Sequence, residues 1–81
     1  MNYDILLDVR GLSCPMPLVK TKQELNKVQS GTIIKVITTD KGSIKDFQGW
    51  TSTDKTVELI AQNTEVDQEG KQIYVHYVKK K

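Results

Sequence analysis

Apolar residues along this chain recur in two rhythms, one of about two residues and one of about three and a half, and the changes between them outline its elements. Ile5 to Val9 is a short apolar run with Asp8 inside it, closed by Arg10-Gly11, and predicts a first strand. Beyond Pro15, Leu18, Thr21, Leu25 and Val28 recur at helical spacing while Lys20, Gln23 and Lys27 fall on the opposite face. Gly31 then stands where a C′ glycine would end that helix. Thr32 to Thr39 is rich in β-branched residues, with Ile34 and Val36 on one side and Ile33 and Ile37 on the other, as in an interior strand. Asp40-Lys41-Gly42 makes a turn. Ser43 followed by Asp46 matches a capping box with Asp in place of Glu, so a second helix is expected from Ile44, with Ile44, Phe47 and Thr51 facing inward and Trp50 on the flank. Gly49 inside it weakens that helix. Thr56 to Asn63 sets Val57, Leu59 and Ala61 against Glu58, Ile60 and Gln62, and after a polar stretch through Glu69-Gly70 the segment Gln72 to Val78 closes an antiparallel hairpin. The order βαβαββ predicts an α+β two-layer sandwich, a four-stranded mixed sheet with both helices on one face and its first two strands parallel.

Composition narrows what such a sandwich can do. With 81 residues, 37% of them hydrophobic, residues 1–81 form one small domain with a modest core and little material for an enclosed active site. The net charge of +2 comes partly from Lys79, Lys80 and Lys81, which read as a solvated tail, so direct nucleic-acid binding gains little support. No charged n-region followed by an apolar stretch opens the chain, which points to a reducing cytoplasm rather than secretion or a membrane. The single cysteine cannot form an internal disulfide or a C-x-x-C redox pair, so any second thiol must come from a partner.

That cysteine sits in Arg10-Gly11-Leu12-Ser13-Cys14-Pro15-Met16-Pro17, between the first strand and the first helix. Proline is favoured at the first helical position, so Pro15 at N1 would make Cys14 the N-cap, facing the positive end of the helix dipole. Such a place lowers a thiol pKa from about 8.5 toward roughly 3.5–7.5. Pro15 and Pro17 lack amide hydrogens, leaving Met16 and Leu18 as early donors, so only a modest depression is expected, with the two prolines stiffening the turn. A free cysteine is often a small buried hydrophobe; a strand-end turn between Gly11 and two prolines is instead where α/β folds place their sites.

Other candidates are weaker. His76, the only histidine, alternates with Val75 and Tyr77 and reads as one face of a strand rather than a base for Cys14. One Cys, one His and scattered carboxylates show no metal-ligand spacing, and no cofactor motif is present. Arg10 either lies beside Cys14 and stabilises its thiolate or pairs with Asp8 at the surface. Met16 falls on the solvent side next to Cys14, as a partner contact or a tolerated surface apolar residue. Lys20, Lys22 and Lys27 make a solvated helix face or a docking surface for an acidic partner, and Lys22 is carried as a further candidate for steadying the thiolate. Asp40 serves its turn, or lies at the same sheet edge as Cys14 as one more candidate for steadying the thiolate or meeting a partner; Trp50 and Phe47 read as core.

Leu7-Asp8-Val9-Arg10-Gly11-Leu12-Ser13-Cys14-Pro15-Met16-Pro17, with Gly31 before a strand, Asp40 after it, and Asp46 with Gly49-Trp50 downstream, resembles the TusA/SirA family of sulfur-carrier proteins over nearly the whole chain. The resemblance implies a βαβαββ sandwich similar to the C-terminal domain of a bacterial translation initiation factor. It also implies that the C-P-x-P cysteine, here Cys14, carries sulfur as a persulfide, with no cofactor beyond that transient cargo. In such proteins sulfur arrives from a cysteine desulfurase or a rhodanese-like protein and passes to a DsrE-like acceptor, for tRNA thiolation, sulfur oxidation or cofactor synthesis. The chain would then be a sulfurtransferase component acting as a carrier rather than a stand-alone enzyme. Met16 stands where better-studied members often have an acidic residue. Two other readings stay open on the same fold: an RNA-binding module, and a thiol-redox switch working through an intermolecular disulfide.

Overall fold

A computed structural model describes residues 2–81. Its elements follow the order β1 (Ile5–Asp8), α1 (Met16–Leu25), β2 (Ile33–Thr38), α2 (Ser43–Thr53), β3 (Val57–Val66) and β4 (Gln72–Lys80). The sheet runs β1-β2-β4-β3, with β1 parallel to β2 and β4 antiparallel to both of its neighbours. Expected class and strand directions are both present.

Alternation along β2 and β4 explains how two layers form. Ile34, Val36 and Val78 point to the side where Leu25 of α1 and Phe47 of α2 pack, and these join Val9 and Val57 in one buried cluster. Ile73, Val75 and Tyr77 point the other way, into a second cluster edged by Ile33, Ile37, Ile60 and Ala61, to which neither helix contributes. Both helices therefore cover one face. On the other face Tyr77 meets Tyr3, their ring centroids 6.4 Å apart, and the Lys35 ammonium lies 5.3 Å from the Tyr3 centroid.

Several boundaries differ from the sequence pattern, each for a local reason. Strand β1 ends at Asp8 rather than Val9, although Val9 stays buried and donates its N–H to Ile37 O at 2.9 Å. Strand β2 is one residue shorter at each end than Thr32 to Thr39. Helix α1 stops at Leu25, so Gly31 is not its C′ residue; with φ of 93° it ends the following turn instead. Lys80 compensates, donating from Nζ to Leu25 O and Val28 O at 2.9 Å each and satisfying carbonyls that a longer helix would have bonded itself. Pro17, Thr21 and Leu25 form the buried line of α1, while Leu18 and Val28 pack only at its edge.

Helix α2 includes Ser43, and Gly42 rather than Ser43 is its N-cap, so the capping box does not form. Ser43 is buried and spends its hydroxyl on Thr38 Oγ1 at 2.8 Å and His76 Nε2 at 2.9 Å. Trp50, expected in the core, is only half-buried and meets Phe47 edge-on. The hairpin is longer than expected at both strands, and a bulge between Leu59 and Ala61 breaks the simple alternation of β3. As a result Ile60 and Ala61 both join the uncovered face, while Gln62 turns toward the helices and His76.

Candidate functional site

Cys14 is exposed at the turn between β1 and α1, on a loop held by bonds reaching across the sheet edge. Gly11 has φ of 86°, a conformation that side chains disfavour, and its N–H donates to Thr39 Oγ1 at 2.9 Å. That supplies a physical reason for glycine in the motif. The Cys14 N–H donates to Asp40 Oδ2 at 2.7 Å, and Asp40 Oδ1 accepts the Gly42 N–H at 3.0 Å. Asp40 thus shapes its own turn and lies at the sheet edge of Cys14, where it anchors the cysteine loop to the start of α2; as a negative charge beside the sulfur it opposes a thiolate instead of steadying one.

The helix begins one residue later than the proline rule implies. Pro15 is the N-cap and Pro17 lies in the first turn, so Cys14 precedes the cap rather than forming it. Pro17 is fully buried, and its carbonyl accepts the Thr21 hydroxyl at 2.8 Å. One of the two prolines therefore anchors the helix in the core while the other shapes its exposed entrance.

The Cys14 thiol donates from Sγ to Asp46 Oδ2 at 2.7 Å. This overturns the expected depression of its pKa. The hydrogen bond to Asp46, then partial desolvation, then the negative charges of Asp46 and Asp40 raise the thiol above its ordinary value. The sulfur faces two carboxylates, and the prolines at the start of α1 leave that helix end poor in donors to oppose them. Asp46 was missed as a site residue because its place in the first turn of α2 read as part of a helix cap.

Neither cation considered for the thiolate reaches it. Arg10 binds Asp8 in a two-pronged pair, Nε to Oδ1 at 2.9 Å and Nη2 to Oδ2 at 2.8 Å, and its Nη1 lies 3.8 Å from Asp67 Oδ2. This holds the Asp8 carboxyl below its usual range, chiefly through the side-chain hydrogen bonds. Lys22 lies over the Trp50 ring, 5.6 Å from its centroid, between the two helices. Met16 is exposed in the first turn of α1, as its spacing implied. An open depression of about 600 Å³ beside the motif is lined by Asp8, Arg10, Gly11, Thr39, Asp67, Glu69 and Lys71, without Cys14. His76 is fully buried, so it is no base for an exposed thiol. Among the described residues no group of three His, Cys, Asp or Glu side chains could hold a metal ion, and no helix is long and apolar enough to cross a membrane.

An exposed lone thiol after a glycine turn, carried on this sandwich, matches one family along the chain: the model of sulfurtransferase TusA covers residues 5–80. This chain belongs to the TusA family of sulfur carrier proteins. A candidate sulfur carrier protein of Halobacterium salinarum is 47% identical over 81 residues, spanning 98% of this chain and 94% of its own. The sulfur carrier protein TusA of Allochromatium vinosum is 45% identical over 49 residues, 60% of this chain and 64% of its own. In fold, the chain is similar to the SirA-like protein of Desulfitobacterium hafniense, with a TM-score of 0.67 at 20% identity over 96% of this chain and 100% of that one.

Proposed function

We propose that Cys14 carries sulfane sulfur as a persulfide from a donor protein to an acceptor protein. The observation that carries this reading is the exposed Cys14 thiol on a fixed loop, the only cysteine of the chain, in a family of sulfur carriers. A resolving cysteine is absent, so the sulfur must leave on a partner's thiol. The TusA resemblance favours a cysteine desulfurase or rhodanese-like donor and a DsrE-like acceptor, in tRNA thiolation, sulfur oxidation or cofactor synthesis. A reducing cytoplasm keeps such a thiol free for its cargo.

Loading follows the rules of thiol–disulfide exchange. Cys14 loses its proton, and the electron pair left on Sγ forms a bond to the outer sulfur of the donor persulfide. The donor's S–S bond breaks, its pair stays on the inner sulfur as a thiolate, and that thiolate takes up a proton. The net change is donor persulfide plus Cys14 thiol giving donor thiol plus Cys14 persulfide, with no external oxidant. Delivery repeats the exchange with the acceptor thiolate as nucleophile and Cys14 as leaving group.

Incubation with a cysteine desulfurase and cysteine should add about 32 Da to the intact protein, removable by a reducing agent and absent from Cys14→Ser. A wild-type mass that never changes with desulfurases or rhodaneses would overturn the carrier reading.

A further inference from the structure

We infer that Asp46 is a positioning residue that holds the empty Cys14 as a docked, protonated thiol, and that loading with sulfur removes the hydrogen on which this hold depends. The inference rests on the carrier reading and deepens it. Its basis is the Sγ–H···Oδ2 contact of 2.7 Å between residues 32 positions apart, made by a side chain otherwise exposed to solvent. The groups facing the sulfur are Asp46 from α2 and Asp40 from the preceding turn, and among the described residues neither is in an ion pair. Arg10, on the cysteine's own loop, is engaged by Asp8. Nothing positive among these groups offsets the two carboxylates.

The chemistry of the two states follows from this arrangement. In the empty carrier Sγ bears a hydrogen, Asp46 accepts it, and the thiolate fraction at neutral pH lies below the few per cent of a free cysteine. The empty thiol therefore reacts slowly with small diffusing electrophiles and oxidants. A protein donor can seat its persulfide against the loop and move Cys14 off Asp46, which a small molecule has no binding energy to do. In the loaded carrier Sγ is bonded to carbon and sulfur and has no hydrogen to donate. A persulfide anion there meets two carboxylates, which favours an extended side chain presented to the acceptor. Asp46 thus separates the empty conformation from the loaded one without touching the cargo's bond.

Two rates test this: alkylation of Cys14 by iodoacetamide across pH, and loading by a cysteine desulfurase or by inorganic polysulfide. Asp46→Asn keeps an acceptor of the same shape but removes the charge. Its alkylation midpoint should fall and its rate at pH 7 rise, by about tenfold for each pH unit of that fall. Polysulfide loading should rise with it, whereas desulfurase loading should rise less, so that selectivity for the protein donor drops. Asp40→Asn, whose carboxylate bonds the Cys14 amide rather than the sulfur, should change the profile less. Identical alkylation profiles for wild type and Asp46→Asn overturn the inference, as does an equal rise in both loading rates. Should Asp46→Asn not fold, titrating the wild-type thiolate by ultraviolet absorbance decides: a midpoint at or below that of free cysteine overturns the hold. Failure of every desulfurase to load wild type would count against the carrier reading alone, because the alkylation profiles need no sulfur transfer.

Discussion

Asp40 accepts the Cys14 amide on one carboxylate oxygen at 2.7 Å and the Gly42 amide on the other at 3.0 Å. One side chain thus joins the loop bearing the thiol to the start of the helix bearing Asp46. Hydrogen bonds to a charged group contribute about 1.5–3 kcal/mol each when water cannot replace them. Asp40 is partly exposed, so water recovers some of that, and Asp40→Ala is expected to cost about 1–3 kcal/mol in a urea or thermal unfolding measurement. Amide exchange at Cys14 should accelerate in the same variant. Unchanged stability with unchanged Cys14 protection would mean that the loop is held by its prolines and Gly11 alone.

His76 stacks on Phe47, ring centroids 4.2 Å apart and planes 8° from parallel, and its pKa is lowered from 6.5 to about 4 by burial. Gln62 donates from Nε2 to His76 Nδ1 at 3.0 Å and to Ile44 O at 3.0 Å, which leaves the ring proton on Nε2, facing Ser43 Oγ at 2.9 Å. A second ring proton has nowhere to go without breaking the Gln62 bond. Because the folded state resists protonation, the unfolded chain binds the extra proton first as pH falls. Stability is then full above the unfolded value of 6.5 and declines through the window from 6.5 to about 4. The expected loss from this group is on the order of 3 kcal/mol, read from urea unfolding at pH 7 against pH 4. His76→Gln should flatten that part of the profile; an equally steep profile in His76→Gln would assign the loss to other groups.

The element order was legible because period-two and helical runs of apolar residues alternate cleanly, and Ile34, Val36, Leu25 and Phe47 reach the core as their spacing implies. What the pattern hid was pairing over distance. Asp46 lies 32 residues from Cys14, and a carboxylate in a helix's first turn reads as a cap until the turn before that helix is seen folded against the thiol. Ser43 misled in the same way: a serine at a helix start looks like a cap, yet its hydroxyl is drawn inward by His76 and Thr38. The thiol's own place was legible, and its electrostatics were not. Helix dipole and local sequence are near neighbours of Cys14, whereas Asp40 and Asp46 arrive through the parallel pairing of β1 with β2.

Arg10 and Lys22 are bound away from the sulfur, and this has a direct consequence for reactivity. Arg10→Ala removes an exposed, solvent-screened pair with Asp8, and Lys22→Ala removes an ammonium lying over Trp50, worth about 0.5–1 kcal/mol. Both variants should alkylate at Cys14 with wild-type rate and pH dependence. A slower reaction or a raised midpoint in either would show that its charge reaches the thiolate in solution.

Met16 is the large apolar side chain left exposed nearest the thiol in sequence, in the first turn of α1. Its exposure means that truncation costs the fold little, so Met16→Ala should unfold within about 0.5 kcal/mol of wild type. A protein that docks to exchange sulfur with Cys14 must approach this turn, and covering the methionine would contribute on the order of 1 kcal/mol. That corresponds to roughly a fivefold rise in KM for loading by a cysteine desulfurase. Polysulfide needs no docking surface, so its loading rate should stay at the wild-type value. Equal loading of wild type and Met16→Ala by the protein donor would remove Met16 from the contact, whereas a matching loss with polysulfide would show that the methionine acts on the thiol itself.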